Sequence, residues 1–444
     1  MSGLAAAILL VVPAWGQTFD AYQDLSGDNR EPTPDIQGEP EDAADTGAVY
    51  ARLLYLEGGI SLRRSAELQT PGSELTANAP LVPGDEIWTG SDGRVEIQMA
   101  EGSIVRLSEN ARLSLMNLAD VNGSFDTTNL LRLLNGSLYI HAENFDARQR
   151  RFQIDTPAGS VFLLSEGIFR IDVTASGATT VASFRGVAEV LAQESSVMAH
   201  SGERLTVAPG RAPGEAMAFN TLRRDSFDLW AEGRDDAIAA VRSARGPAPA
   251  TMPAPVQPYV TELSHYGTWQ DTPEYGWIWI PTPAAPDWQP YVYGHWVWAP
   301  IGMVWVSYEP WGYAPYHYGR WQFAPALGWF WAPGYVYAGA YVQWAVGPSY
   351  FGWCPLGFYG GPVIYAGFHH DCWTWVGHGD IYDHHVYRHA YSYADVARRH
   401  LEQNAYVMRT SPRAYPRYRP ETAGAEIYRA TRERRGAVPG QLDP

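Results

Sequence analysis

A chain of 444 residues can form two or three domains, and 46% hydrophobic against 18% charged residues gives it ample apolar surface to bury. Its formal net charge of −16 excludes general nucleic-acid binding, because a phosphate backbone would repel it. No Lys occurs among the basic residues, which reads as codon usage rather than chemistry.

The first sixteen residues, "MSGLAAAILLVVPAWG", hold a short apolar run from Leu4 to Val12. A small-x-small pattern, Ala14-Trp15-Gly16, follows. Residues 1–16 are therefore expected to be a secretory signal peptide, although no Lys or Arg precedes the apolar run. The run is too short to span a bilayer, and no later stretch reaches about 20 uninterrupted apolar residues. Residues 17–47 carry nine acidic side chains between Asp20 and Asp45 and no apolar period. They predict a disordered acidic leader.

From residue 48 to 210 the texture is short apolar-alternating runs punctuated by Gly, Asp and Asn. "LLNGSLYIHA" sets Asn135-Gly136 between two such runs, a hairpin signal. The region predicts an all-β domain, either a sandwich or a short solenoid. "VPGDEIWTGSDGRVEIQMAEGSIVRLSENARLSL", followed by "LLRLLNGSLYIHA", "FQIDTPAGSVFLLSEGIFRIDV", "RGVAEVLA" and "SGERLTVAPG", resembles the FecR-type domain of bacterial envelope proteins over about 84–210. It departs from the family at Gly167-Ile168, where Gly-Thr is usual before x-Phe. The resemblance implies a β-domain on the outer side of a membrane. The family's founding member also has a cytoplasmic anti-sigma segment that this sequence does not show, so direct sigma-factor control is not expected to carry over.

Residues 218–244 form the clearest predicted helix, capped by Asp225 or Ser226. Phe227, Trp230, Ala231, Ile238 and Val241 fall near one stripe. Residues 245–258, rich in Pro and Ala, predict an extended linker.

Beyond it, over 259–360, Tyr-Gly-x-Trp recurs at Tyr266, Tyr293 and Tyr318, and a second tryptophan mark ends at Trp279, Trp305 and Trp331. Each unit predicts a β-hairpin, and "YVQWAVGPSYFGWCPLG" reads as a worn fourth copy. Only five charged residues lie between Tyr266 and Trp353, so most rings are expected to be core. Trp269, Trp296 and Trp321, which share one repeat position, are the candidates for an open aromatic platform that would hold a sugar. "TELSHYGTW", "PWGYAPYHYGRW", "GWFWAPG" and "GWCPLG" resemble a Trp/Gly-rich domain of unknown function that often follows FecR-like domains in exported bacterial proteins. That resemblance implies no reaction.

Cys354 and Cys372 are the two cysteines. A disulfide between them would contribute roughly 3 kcal/mol, and two buried free thiols are the alternative. Residues 361–390 are dense in His and Tyr. His369, His370, His378, His384, His385 and His389 with Asp371, Asp380 and Asp383 fit no known closed metal site, so this stretch reads as a solvated segment, with no metal and no cofactor expected. Residues 391–444 read as an Arg-rich tail, mostly disordered, in which "YADVARRHLEQNAYVMR" could form one helix.

No catalytic signature is found: no His-Glu-x-x-His, phosphate loop, dinucleotide fingerprint or Gly-x-Ser-x-Gly. The expectation is a mainly β, non-enzymatic envelope protein, periplasmic or secreted, acting as a scaffold or binding module for protein or glycan. The alternatives are an accessory of envelope signalling and a polysaccharide-active enzyme. The enzyme would need two facing carboxylates, for which only Asp287 and Glu309 offer themselves. The sequence sets no oligomeric state.

Overall fold

Sixteen described strands between residues 51 and 218 wrap two sheets around one aliphatic core. The computed structural model describes residues 50–64, 75–120, 127–144, 150–243, 249–250, 252–282, 288–299, 302–358, 361–363, 372–401 and 405–407. The expected signal peptide, the acidic leader and the last part of the tail lie outside them. Alternation builds the sandwich. In Gly167–Val173, Phe169, Ile171 and Val173 point into the core while Ile168, Arg170 and Asp172 point out.

The long strand Thr128–Ala142 belongs to both sheets. Its first half pairs with Arg112–Asn117 and, in parallel, with Arg151–Thr156. Its second half lies between Ile104–Leu107 and Gly167–Val173. The changeover falls at Asn135-Gly136, where the sequence predicts a hairpin. The chain does not reverse there. Gly136 takes φ +87°, and a Cβ at this position would sit 2.5 Å from Ala111. The Asn135 amide donates to the carbonyl of Asn110. The pair that closes hairpins elsewhere here bends one strand from one sheet into the next, because both flanking runs already have partners on either side.

Helix α1, Ser226–Arg242, lies on the outer face of one sheet. Asp225 caps it and forms a reciprocal box with Asp228. Charge docks it alongside apolar contact. Asp235 accepts from Arg106 at 2.7 Å, and His141 lies 3.0 Å from the same oxygen. Arg234 donates to Glu96 at 2.9 Å, and Arg170 to Asp225 and Asp228 at 2.6 and 2.9 Å. Arg106 and Glu96 are themselves fully buried, 2.7 Å apart. Phe227 and Ala231, from the predicted stripe, are the fully covered apolar contacts. The predicted linker is not wholly extended: Val256 is buried, and Gln257–Tyr259 turns into helix α2, Val260–Tyr266.

Four hairpins follow, each with one cross-strand tryptophan pair. Trp269 faces Trp279, Trp296 faces Trp305, Trp321 faces Trp331 and Trp344 faces Trp353. All eight rings are at most 2% exposed. The fourth unit lacks the Tyr-Gly mark yet keeps the pair and its register. The repeated glycine has a steric reason. A Cβ on Gly267 would meet the Trp279 ring at 2.6 Å, and one on Gly294 would meet Trp305 at the same distance. Tyr316 lies against Trp305 and Trp321 and joins the second pair to the third, while Trp269 on Trp331 and Trp296 on Trp344 bring the first and fourth pairs into the same core.

The second hairpin, Gly294–Ala299 with Gly302–Ser307, has two different faces. Trp296, Trp298, Met303 and Trp305 enter the aromatic core. Val297, Ala299, Val304 and Val306 enter the aliphatic core of the first domain. A single hairpin thus completes both cores.

Residues 372–390 are not the solvated segment the sequence predicts. Thr374–Gly377 adds a strand beside Tyr350–Pro355, and Val376, Ile381 and Val386 are fully buried. Nor is the next stretch one helix: Tyr393–Arg399 is helical, and Tyr406–Val407 then pairs with Val342–Val346. Among the described residues no helix is long and apolar enough to cross a membrane.

Candidate functional site

The two domains meet at Arg52, on the outer face of strand Ala51–Glu57 and only 3% exposed. Its two terminal nitrogens fork onto Glu262 of α2 at 2.9 and 3.0 Å. Nη2 also donates to the Pro310 carbonyl at 2.6 Å, and Nε to Asn78 at 2.8 Å. Asn78 takes φ 68°, which asparagine tolerates, and its amide reaches the carbonyls of Ser307 and Glu309 at 3.0 and 2.8 Å. Burial works against the Arg52 charge, but the Glu262 carboxylate outweighs it and holds the guanidinium above its ordinary value. One fork therefore fixes the first domain, α2 and the 307–310 turn together.

Beside this node lies a cavity of about 350 Å³. Leu54 and Ile104 form one wall, and Ala237, Ile238 and Val241 of α1 form the other. Tyr266 and Tyr308 come from the second domain. Leu54 owes its place to a β-bulge. The pairing with Arg94–Gln98 shifts between Leu53 and Tyr55, so an extra residue turns outward. Tyr55 then lies under the Arg234 guanidinium, 4.0 Å from ring centre to charge.

On the rim, Tyr308 continues into a cluster of rings. Tyr293, 47% exposed, is flanked edge-on by Tyr308 and Tyr387 at 5.4 and 5.3 Å. His295 stacks on Tyr308 and lies 4.5 Å from the His384 ring. Burial, with smaller contributions from His384 and His385, pulls His295 down to about 3, so it is neutral at ordinary pH. Inside the aromatic core, burial pushes the Glu309 carboxyl up, although Ser307, Trp288 and Tyr316 all donate to it.

The predicted platform does not exist as an open surface. Trp269, Trp296 and Trp321 are 2%, 1% and 0% exposed. Each packs on another tryptophan, Trp269 on Trp331, Trp296 on Trp305 and Trp321 on Trp279, and Trp269 and Trp321 donate their indole N–H to the carbonyls of Val260 and Pro315. The repeat position that recurs in sequence is the inward one. The open ring of the motif is the tyrosine, Tyr293. Cys354 and Cys372 are joined by a disulfide with Cα atoms 5.2 Å apart. No cluster of three or more metal-ligating side chains occurs among the described residues; His369, His370 and Asp371 lie outside them. Asp287 also lies outside, and Glu309 is enclosed by its donors rather than set across a cleft. Sequence reasoning missed Arg52, Asn78 and Glu262, which come together across separations of 26 and 210 residues with no motif to mark them.

A β-sandwich locked to an aromatic hairpin-repeat domain defines the class: a two-domain, mainly β protein with its polar chemistry concentrated at the junction. Residues 85–198 match the family model described as FecR protein, and residues 260–360 match a family of unknown function, DUF6600. The chain thus carries a FecR domain followed by a DUF6600 domain. Two crystal structures of a protein described as an anti-sigma factor from Parabacteroides distasonis ATCC 8503 are similar to part of it. The first is 16% identical, covers 33% of this chain and 63% of that one, and has a TM-score of 0.27. The second is 15% identical, covers 40% and 73%, and has a TM-score of 0.26. This chain therefore spans less than two thirds of the first of them. No curated protein matches the sequence.

Proposed function

We propose that the protein is a non-enzymatic binding module of the bacterial envelope, periplasmic or secreted, that engages its partner at the domain junction. The observation that carries this reading is how the polar groups are used. Arg52 and Glu262 at the junction, and Arg106 and Glu96 beneath α1, are spent on holding elements together, and Glu309 is surrounded by donors. Such groups fix a shape, and none of these five is placed as an activated nucleophile or as half of a facing acid pair. An envelope location is supported by the FecR match, as is a second reading, a role in envelope signalling.

The test incubates the purified full chain with envelope polysaccharide and, separately, uses it as bait in envelope extract. Retention of an envelope protein or glycan without release of reducing sugar is the expected result. Release of reducing ends at a rate proportional to protein concentration would overturn the non-enzymatic reading.

A further inference from the structure

We propose that the junction cavity binds a single-chain anionic amphiphile, a molecule with one hydrocarbon tail and one acidic head. The proposal rests on the reading of the protein as a binding module and adds a ligand class to it. Size comes first: about 350 Å³ falls in the range of small-ligand sites.

The wall chemistry gives the tail. The apolar stripe of α1 changes role along the helix. Phe227 and Ala231 are covered by protein, whereas Ala237, Ile238 and Val241, further along, face the cavity. Leu54, delivered by the bulge, and Ile104 face them. Apolar side chains on both walls of a gap gain by contact with hydrocarbon and lose by contact with water.

The head follows from charge. Three arginines and one glutamate line the cavity. Arg52 is neutralised by Glu262, which leaves Arg234 and Arg242, either side of the apolar stripe. Their carboxylate partners, Glu96 and Glu143, do not line the cavity. Arg242 and Glu143 are each more than a quarter exposed, so an incoming carboxylate can exchange for Glu143 at little cost. Arg234 and Arg242 thus present two guanidiniums to the cavity, each paired from behind at 2.9 and 2.6 Å, and the part-exposed Arg242–Glu143 pair is the one that an acidic head can enter.

Laurate, titrated calorimetrically into the full chain below its micellar range, tests the proposal. Dodecyltrimethylammonium serves as the tail-matched cation. Saturable one-site binding of laurate is expected, with no comparable binding of the cation. Ile238→Trp and Ala237→Phe, which fill the cavity from α1, should each abolish it. Arg242→Glu should weaken it about tenfold. Leu229→Trp, on the 59% exposed side of α1, should leave it unchanged. Circular dichroism checks each variant for fold. No saturable heat from the unsubstituted protein, equal binding of the cation, or full binding by a folded cavity-filling variant would each overturn the proposal. Retention of an envelope macromolecule by the same protein would still stand, so the two readings fail separately.

Discussion

At the scale of single residues, burial decides what each ring and charge can do. Trp305 is fully buried and touches Trp296, Trp353, Tyr291 and Tyr316. Trp305→Ala is expected to cost about 3–5 kcal/mol, read as a drop in the urea midpoint. His295 gives a pH signature. It is neutral in the fold, with its value near 3, and titrates near 6.5 when unfolded. A depressed value means that its contribution is present above pH 6.5 and is lost as pH falls toward 3. His295→Phe should flatten the fall in stability across that window, measured as urea midpoints at pH 7 and pH 4.5. Glu309 has the opposite sign. Its raised value favours the fold at acid pH, and that contribution is lost as pH rises through the raised value. The tryptophans were legible in sequence as core, because so few charges accompany them. Which single rings stay open was not. Trp296 and Tyr293 lie three residues apart in one motif, and only the packing of the neighbouring hairpins distinguishes them.

Individual elements show where local signals hold and where context overrides them. The cap of α1 was readable, since an Asp before an apolar period has one good use. Its docking was not, because the carboxylates and guanidiniums that meet it come from strands more than fifty residues away. Asp235→Ala tests that docking. It removes one partner of the fully buried Arg106, whose Nη1 has no acceptor among the described residues. The expected loss is about 3 kcal/mol, with faster amide exchange along α1 seen by mass spectrometry. Asn135-Gly136 misleads for a physical reason. The dipeptide reports a permitted backbone conformation, and that conformation serves a bend as well as a reversal. The fourth hairpin was half legible: its tryptophans hold the same places without the Tyr-Gly mark, because the pair rather than the mark fills the core.

For the whole molecule, the hairpin Gly294–Ser307 is the decisive element, since its valines and its tryptophans lie in different cores. The domains are therefore expected to unfold together. Indole fluorescence, which is dominated by the second domain, and far-ultraviolet dichroism, which reports both, should give coincident urea transitions. Two separated transitions would show that the shared hairpin does not couple them.

The same hairpin sets a limit on what can be cut or borrowed. A fragment beginning at residue 252 would carry Val297, Val304 and Val306 with nothing to lie on, a greasy stripe that a lone module must hide by pairing with its own kind. Excising or transplanting the tryptophan repeats therefore requires taking along the sandwich that receives that stripe, or recolouring the three valines with polar residues first.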